Sequence, residues 1–310
     1  MSIDRVATST PAVWTALFVT FLWSSSWVLI RWGLDEEALE PITFAALRYA
    51  VAAIVLLAWV VGQPRLRTGF STLNRSSIAQ LAVLGIVLYA LTQGAQFVAI
   101  DNQPAATTSL VLSWTPLLVA FVGGWSISER STARQLVGAG LVGGGAWFYF
   151  AGDLGSTAVG MTAAVVGLGA NVVGALLGRA VNRRADLAPV VVTTLSMAVG
   201  AGVLVAVGIA LEGPPTVSLR AWLIIVWLAV VNTALAFTLW NLSLRRLSAL
   251  ESAAINNTML IQIAVLAWIF LEEPLGLGEA AGIILVSVGI LLTQSINPTW
   301  PRRLLDRARS

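Results

Sequence analysis

The chain has 310 residues, 57% of them hydrophobic and 11% charged, with a net charge of +3 and a mean hydropathy of +0.85. Soluble domains carry about 25% charged residues, so a surface this poor in charge suits lipid and not water. With no Cys and no His, disulfides, thiolate and imidazole metal sites, thiol nucleophiles and the usual neutral-pH proton shuttle are excluded, and no metal or other cofactor is expected. All 18 basic residues are Arg, scattered in short gaps between apolar runs, which argues against nucleic acid as a partner.

A bilayer core about 30 Å thick takes roughly 20 apolar helical residues. Ten such runs lie at 12–32, 41–62, 76–99, 104–124, 132–151, 157–180, 189–211, 218–241, 248–271 and 277–295. The first has no small-residue cleavage site after it and reads as an uncleaved helix, not a signal peptide. It carries Trp23-Ser-Ser-Ser-Trp27. Span two opens on Pro41, where a missing N–H costs little, and holds Arg48 roughly 10 Å in by helix rise. Arg48 can snorkel outward, pair with an acid or attract a substrate carboxylate; a structural use is the first reading.

Span three carries Tyr89, Gln93 and Gln96 on one helical face. Span four adds Ser109, Ser113 and Pro116, the last of which marks a bend that either gates a path or only kinks the packing. Span six has Gly167, Asn171, Gly174 and Gly178; its glycines read as close-packing positions, and Asn171 as a solute contact. Span eight offers Thr233, Phe237 and Trp240, and span nine Asn256 and Asn257. Facing one another, spans three and eight would form a wall of hydrogen-bonding groups and aromatic surface, suited to a zwitterion with an apolar side chain. The competing reading is that the amides bond neighbouring helices and the rings face core or lipid. Glu251 starts span nine beside Arg245 and Arg246, which suggests an ion pair before a proton-coupling role. Glu129 and Glu273 most simply terminate or cap helices. Trp32, Trp59 and Trp222 near span ends read as interfacial anchors.

Orientation follows from the Arg bias. With the N-terminus inside, 15 of the 18 Arg fall in inside segments, Arg31 and Arg220 fall outside, and Arg48 lies within a span. Both termini are thus expected to be cytoplasmic. The chain also matches itself. A shift of 148 aligns Arg31 with Arg179 and Pro41 with Pro189; a shift of 144 aligns Leu91 with Leu235, Glu129 with Glu273 and Gly145 with Gly289. Five spans being odd, the halves would run oppositely through the membrane. The expected fold is an all-α integral membrane protein: ten transmembrane helices as two inverted five-helix repeats around a central cavity. The repeats cover 1–152 and 153–296, and 297–310 forms a basic cytoplasmic tail.

Pro41 followed by Arg48, Tyr89, Trp114-Thr-Pro116, and the stretch Glu129 to Gly138 with its copy Glu273 to Gly282 resemble the drug/metabolite transporter superfamily. Within it they resemble the EamA family, over about residues 12–295. One departure is Leu260, which stands where the first half has Pro116. The aromatic richness is similar to that of YddG-type amino-acid exporters. The resemblance implies export of amino acids, often aromatic ones, or of related small metabolites, through a central cavity of a bacterial inner membrane.

The residues expected to meet the solute are Tyr89, Gln93, Gln96, Ser113, Asn171, Phe237, Trp240 and Asn257, with Pro116 as a gate and Arg48 and Glu251 in charge roles. The expected mechanism is alternating access, as facilitated efflux, since no buried acid stands out as a proton carrier. A multidrug or cation exporter of the same superfamily is the alternative, disfavoured by the lack of an acid in residues 12–32. A membrane enzyme is less favoured still: no nucleophile–base pair, metal cluster or deep carboxylate pair is present.

Overall fold

The computed structural model describes residues 3–71, 73–115, 118, 122, 133–150, 155–183, 187–244, 249–273 and 276–293, some of them, including Glu251 and Asn257, by backbone alone. All regular elements among the described residues are helical: α1 (Ile3–Asp35), α2 (Pro41–Gly62), the short α3 (Pro64–Ser71), α4 (Arg75–Gly85), α5 (Thr92–Asn102), α6 (Ala105–Leu112), α7 (Ala133–Phe150), α8 (Ala158–Arg183), α9 (Pro189–Glu212), α10 (Leu219–Ala229), α11 (Ala236–Leu244), α12 (Ala249–Phe270) and α13 (Leu277–Thr293).

Among the described residues, six helical stretches are long and apolar enough to cross a membrane: Pro11–Asp35, Pro41–Gly62, Arg75–Asn102, Ala158–Gly178, Pro189–Glu212 and Leu219–Trp240. Thr258–Phe270 and Ala280–Gly289 are shorter apolar helices. Large apolar side chains such as Trp14, Ile54, Leu211, Leu223 and Trp268 stay exposed on their outer faces. Water would penalise so much apolar surface, whereas lipid favours it. Trp59 and Trp222 are exposed near helix ends, as anchors should be. Trp32 instead packs edge-on against Phe270, with ring centroids 6.4 Å apart.

Two spanning stretches depart from regular α geometry. Ile86–Leu91 joins α4 to α5, and Val230–Leu235 joins α10 to α11, each as a π-helical turn. They stand at the offset of 144 that aligns Leu91 with Leu235. A π turn takes in an extra residue and loosens the regular i→i−4 ladder. A threonine hydroxyl meets a carbonyl in each: Thr92 Oγ1 donates to Val87 O and Thr233 Oγ1 to Leu228 O, both at 2.9 Å.

Helix starts are satisfied over long range. The Glu212 carboxylate accepts from Ile42 N (2.9 Å) and Thr43 N (2.7 Å) at the start of α2. Glu273 accepts from Ala105 N (2.8 Å) and Ala106 N (3.2 Å) at the start of α6. Both helices open at or just after a proline, and both carboxylates sit where first-turn amides lack partners and the helix dipole favours an anion. Burial raises the Glu273 carboxyl above its usual range, against the pull of the two amides. The same end of the bundle carries an Arg31–Asp35 pair at 2.7 Å and an Arg220–Glu36 pair at 2.6 Å.

The helices pair α2 with α9, α7 with α13, α1 with α12, and α5 with α8. Between α7 and α13 the contact is reciprocal. A Cβ on Gly145 would lie 2.8 Å from Gly282 O, and one on Gly289 would lie 2.6 Å from Gly138 O. At the first π turn the backbone of Gly85 meets that of Ser196 and Gly200 on α9, leaving no room for a side chain. The largest fully buried side chains include Phe44, Phe97, Ile100, Met197, Ile225 and Leu228, which tie α2 and α5 to α9 and α10 around the two π turns.

Candidate functional site

Between these helices lies a cavity of about 390 Å³. Its wall takes Trp23, Ser26 and Trp27 from α1, Arg48 and Tyr49 from α2, and Leu88 and Tyr89 from the first π turn. Gln93 and Gln96 of α5, Ser109 and Leu112 of α6, Ser113 and Thr115 just beyond it, and Asn171 and Ala175 of α8 continue the lining. Phe237 of α11 and Asn256, Met259, Leu260 and Ile263 of α12 close it. The volume falls in the range of small-ligand sites.

Of the residues singled out from sequence, Tyr89, Gln93, Gln96, Ser113, Asn171, Phe237 and Arg48 all stand on this wall. Trp240 stands one layer back, its ring 5.2 Å from that of Trp23. Pro116 lies outside the described residues, as do the side chains of Asn257 and Glu251. The neighbouring amide, Asn256, is on the wall. Helix α6 ends at Leu112, and Ser113 and Trp114 form a turn before helical geometry resumes at Thr115.

Aromatic rings run along one side in sequence. Trp23 lies 5.3 Å from Phe237, Phe237 lies 6.3 Å from Tyr89, and Tyr89 lies 5.9 Å from Tyr49. Their tilted and edge-on geometries are those that the ring quadrupole favours. Trp23, Trp27 and Tyr49 escaped sequence reading as site residues. The signal was there in part, since Trp23 and Trp27 are four residues apart and share a helical face.

The polar groups divide into spent and unspent. The hydroxyls of Ser26, Ser109, Ser113 and Thr115 donate to carbonyls one turn back in their own chain segment, at 2.6–2.8 Å. Asn171 Nδ2 donates to Thr115 Oγ1 at 3.2 Å, tying α8 to the end of α6. The side-chain amides of Gln93, Gln96 and Asn256 have no hydrogen-bond partner among the described residues, and all three residues line the cavity. A separate polar cluster, Thr20, Ser24, Thr258 and Gln262, bonds α1 to α12 at 3.0–3.5 Å. That is helix–helix adhesion in a setting where burying apolar surface gives no drive.

Arg48 is only 4% exposed. Its Nε donates to Thr233 Oγ1 at 3.0 Å, and its Cζ lies 5.3 Å from the Tyr49 ring and 5.9 Å from the Phe97 ring. No carboxylate lines the cavity among the described residues. Nor do those residues contain a group of three or more acids suited to a metal ion. A larger apolar depression of about 720 Å³ lies between α5, α8 and α9, with Thr162 the single hydroxyl side chain in its lining. It opens outward among exposed Leu91, Val159 and Val166, offers little to orient a polar solute, and belongs to the lipid-facing surface.

The sequence profile of the EamA-like transporter family matches residues 10–151 and 161–294. The chain is 28% identical over 307 residues to the "Probable terminal-alkyne amino-acid exporter" of Streptantibioticus cattleyicolor, covering 96% of each protein. It is 25% identical over 277 residues to the "Uncharacterized transporter YyaM" of Bacillus subtilis, covering 83% of this chain and 85% of that one. A solved crystal structure superposes with a TM-score of 0.64, over 96% of this chain and 99% of its own, at 18% identity. That last likeness is one of fold alone.

Proposed function

Because the chain belongs to the EamA-like transporter family, and so is a multi-pass membrane transporter and not an enzyme, we propose that it exports amino acids with apolar or aromatic side chains, or closely related metabolites. The observation that carries this reading is the central cavity. Unspent amides of Gln93, Gln96 and Asn256 face a continuous row of rings from Tyr49 to Trp23. Amides hold the polar end of an amino acid and rings its side chain. The name of the Streptantibioticus relative as an amino-acid exporter points the same way.

In this proposal the chain has ten spans in two inverted halves, 1–152 and 153–296, with the tail 297–310 and both termini on the cytoplasmic side of a bacterial inner membrane. The shared offset of the two π turns and the reciprocal contacts of Gly145 and Gly289 support the duplication. Halves that exchange packings around a fixed central site give alternating access. Efflux is facilitated, since no acid lines the described cavity to carry a proton. The absence of such a carboxylate also weighs against a lipophilic-cation exporter.

Counterflow of labelled phenylalanine in proteoliposomes tests the reading, with a lipophilic cation in parallel. Phenylalanine exchange is expected, with Tyr89→Ala and Phe237→Ala each reducing its initial rate about tenfold or more, the loss typical of a misplaced substrate. Exchange of the cation alone would sink the proposal.

A further inference from the structure

Arg48 is a charged group in the middle of an apolar bundle with no ion partner among the described residues. An unpaired buried charge costs several kcal/mol, and here only two aromatic faces and one hydroxyl offset that cost. A guanidinium has five N–H groups. Nε is held by Thr233, while the two terminal nitrogens, with four N–H groups, have no acceptor among the described residues, and Arg48 is part of the cavity wall. From α2 the neighbour is Tyr49, from α5 it is Phe97, and from the second π turn it is Thr233. None is an acid.

We infer that Arg48, oriented by Thr233, is a carboxylate-anchoring site, and that the transported solutes are recognised by a carboxylate carried on an apolar or aromatic body. This rests on the reading of the central cavity as the solute site. A planar guanidinium with both terminal nitrogens free matches the two oxygens of a carboxylate as a fork, which a lysine ammonium does not. The row of rings that starts at Tyr49 beside it and runs through Tyr89 and Phe237 to Trp23 then takes the body of the solute. Described cavity residues contribute one positive charge and no negative one. A monocarboxylate therefore neutralises the site, and the solute's own ammonium group is not required for recognition. Thr233 is a positioning residue: it spends its proton on Leu228 O at the end of α10, so its oxygen can only accept from Arg48 Nε. The π turn thereby sets the direction of the fork.

The test is equilibrium binding to the purified, full-length protein, read by fluorescence quenching of its Trp residues, of which Trp23 and Trp27 line the cavity. The probes are phenylpropionate, which keeps the carboxylate without the ammonium, and phenethylamine, which keeps the ammonium without the carboxylate. Saturable quenching by phenylpropionate is expected, with phenethylamine weaker by about tenfold or more, the worth of a charge-assisted hydrogen-bonded pair. Arg48→Gln is expected to abolish the difference between probes, and Arg48→Lys to restore part of it. Should Arg48→Gln not fold, Thr233→Val is expected to weaken phenylpropionate several-fold while leaving phenethylamine unchanged, and Thr233→Ser to recover it. Equal binding of both probes, no saturable phenylpropionate signal, or a carboxylate preference that survives both Arg48→Gln and Thr233→Val would overturn the inference. Counterflow of phenylalanine reports separately on export, so a transporter that moves amino acids without carboxylate selectivity would refute this inference alone.

Discussion

The two π turns, Ile86–Leu91 and Val230–Leu235, stand 144 residues apart in register yet carry different chemistry. In the first, Tyr89 presents a ring to the cavity, while Gly85 just before it lets the backbone press onto Ser196 and Gly200 of α9. In the second, the position matching Tyr89 is Thr233, which holds Arg48, and the position matching Gly85 is the fully buried Ala229. One turn lends an aromatic surface and the other directs a cation. The same backbone irregularity recurs at this offset, and the side chains grown on it differ, so the cavity wall carries both a cation and aromatic rings.

The comparison can be broken first at the glycines. Gly85→Ala drives a methyl into the α9 backbone and is expected to cost about 1–3 kcal/mol, at the level of core overpacking. Ala229→Gly, its counterpart, loses one methyl and some helix propensity and is expected to cost about 1 kcal/mol. Thermal unfolding in detergent measures both, and equal losses would mean that the two turns are packed alike after all. The pair Gly145→Ala and Gly289→Ala sharpens the point from the other side. Each forces a methyl against the facing backbone, so the two losses are expected to be alike, each about 1–3 kcal/mol, at the level of core overpacking. A large inequality would show that the α7–α13 contact is not shared evenly.

A smaller effect is expected at the π turns' own hydroxyls. Thr92→Val removes the bond to Val87 O and is expected to cost about 1 kcal/mol, the net worth of one hydrogen bond, with carboxylate binding unchanged. Thr233→Val removes the equivalent bond and the carboxylate preference together. The smallest change is expected at Glu273. Its carboxyl is raised above its ordinary 4.5 mainly by burial, while two backbone amides pull it down. The folded state therefore holds the proton more tightly than the unfolded chain. That contribution to stability is full below the ordinary value and fades as pH rises through the raised one. Glu273→Gln is expected to flatten this part of the pH profile of the unfolding midpoint, and a profile that stays as steep would assign the dependence to another group.

Much of this was legible in the chain itself. Tyr89, Gln93 and Gln96 meet the cavity together because they recur at helical spacing, and the intervening π turn ends at Leu91 without rotating them off the wall. The match of Leu91 with Leu235 placed the second turn without revealing that either segment is a π turn. Hydropathy has no term for an i→i−5 bond, so that geometry left no mark in the sequence. Helical spacing predicts Trp240 on the wall beside Phe237, yet it stands behind Trp23. One helical turn spans an arc wide enough to carry a ring from the wall to the layer behind it.

The sequence by itself determined the solvent, the element type and the aromatic and amide content of the cavity wall. These depend on composition and on periods of a few residues, which local chain geometry enforces wherever the chain goes. Tertiary structure alone decided which groups meet: Arg48 with Thr233 across 185 residues, Glu273 with the start of α6, and Gly85 with the backbone of α9. Such meetings depend on how each helix is rotated about its axis and how closely it approaches its neighbours. Packing sets both, and no local pattern encodes them.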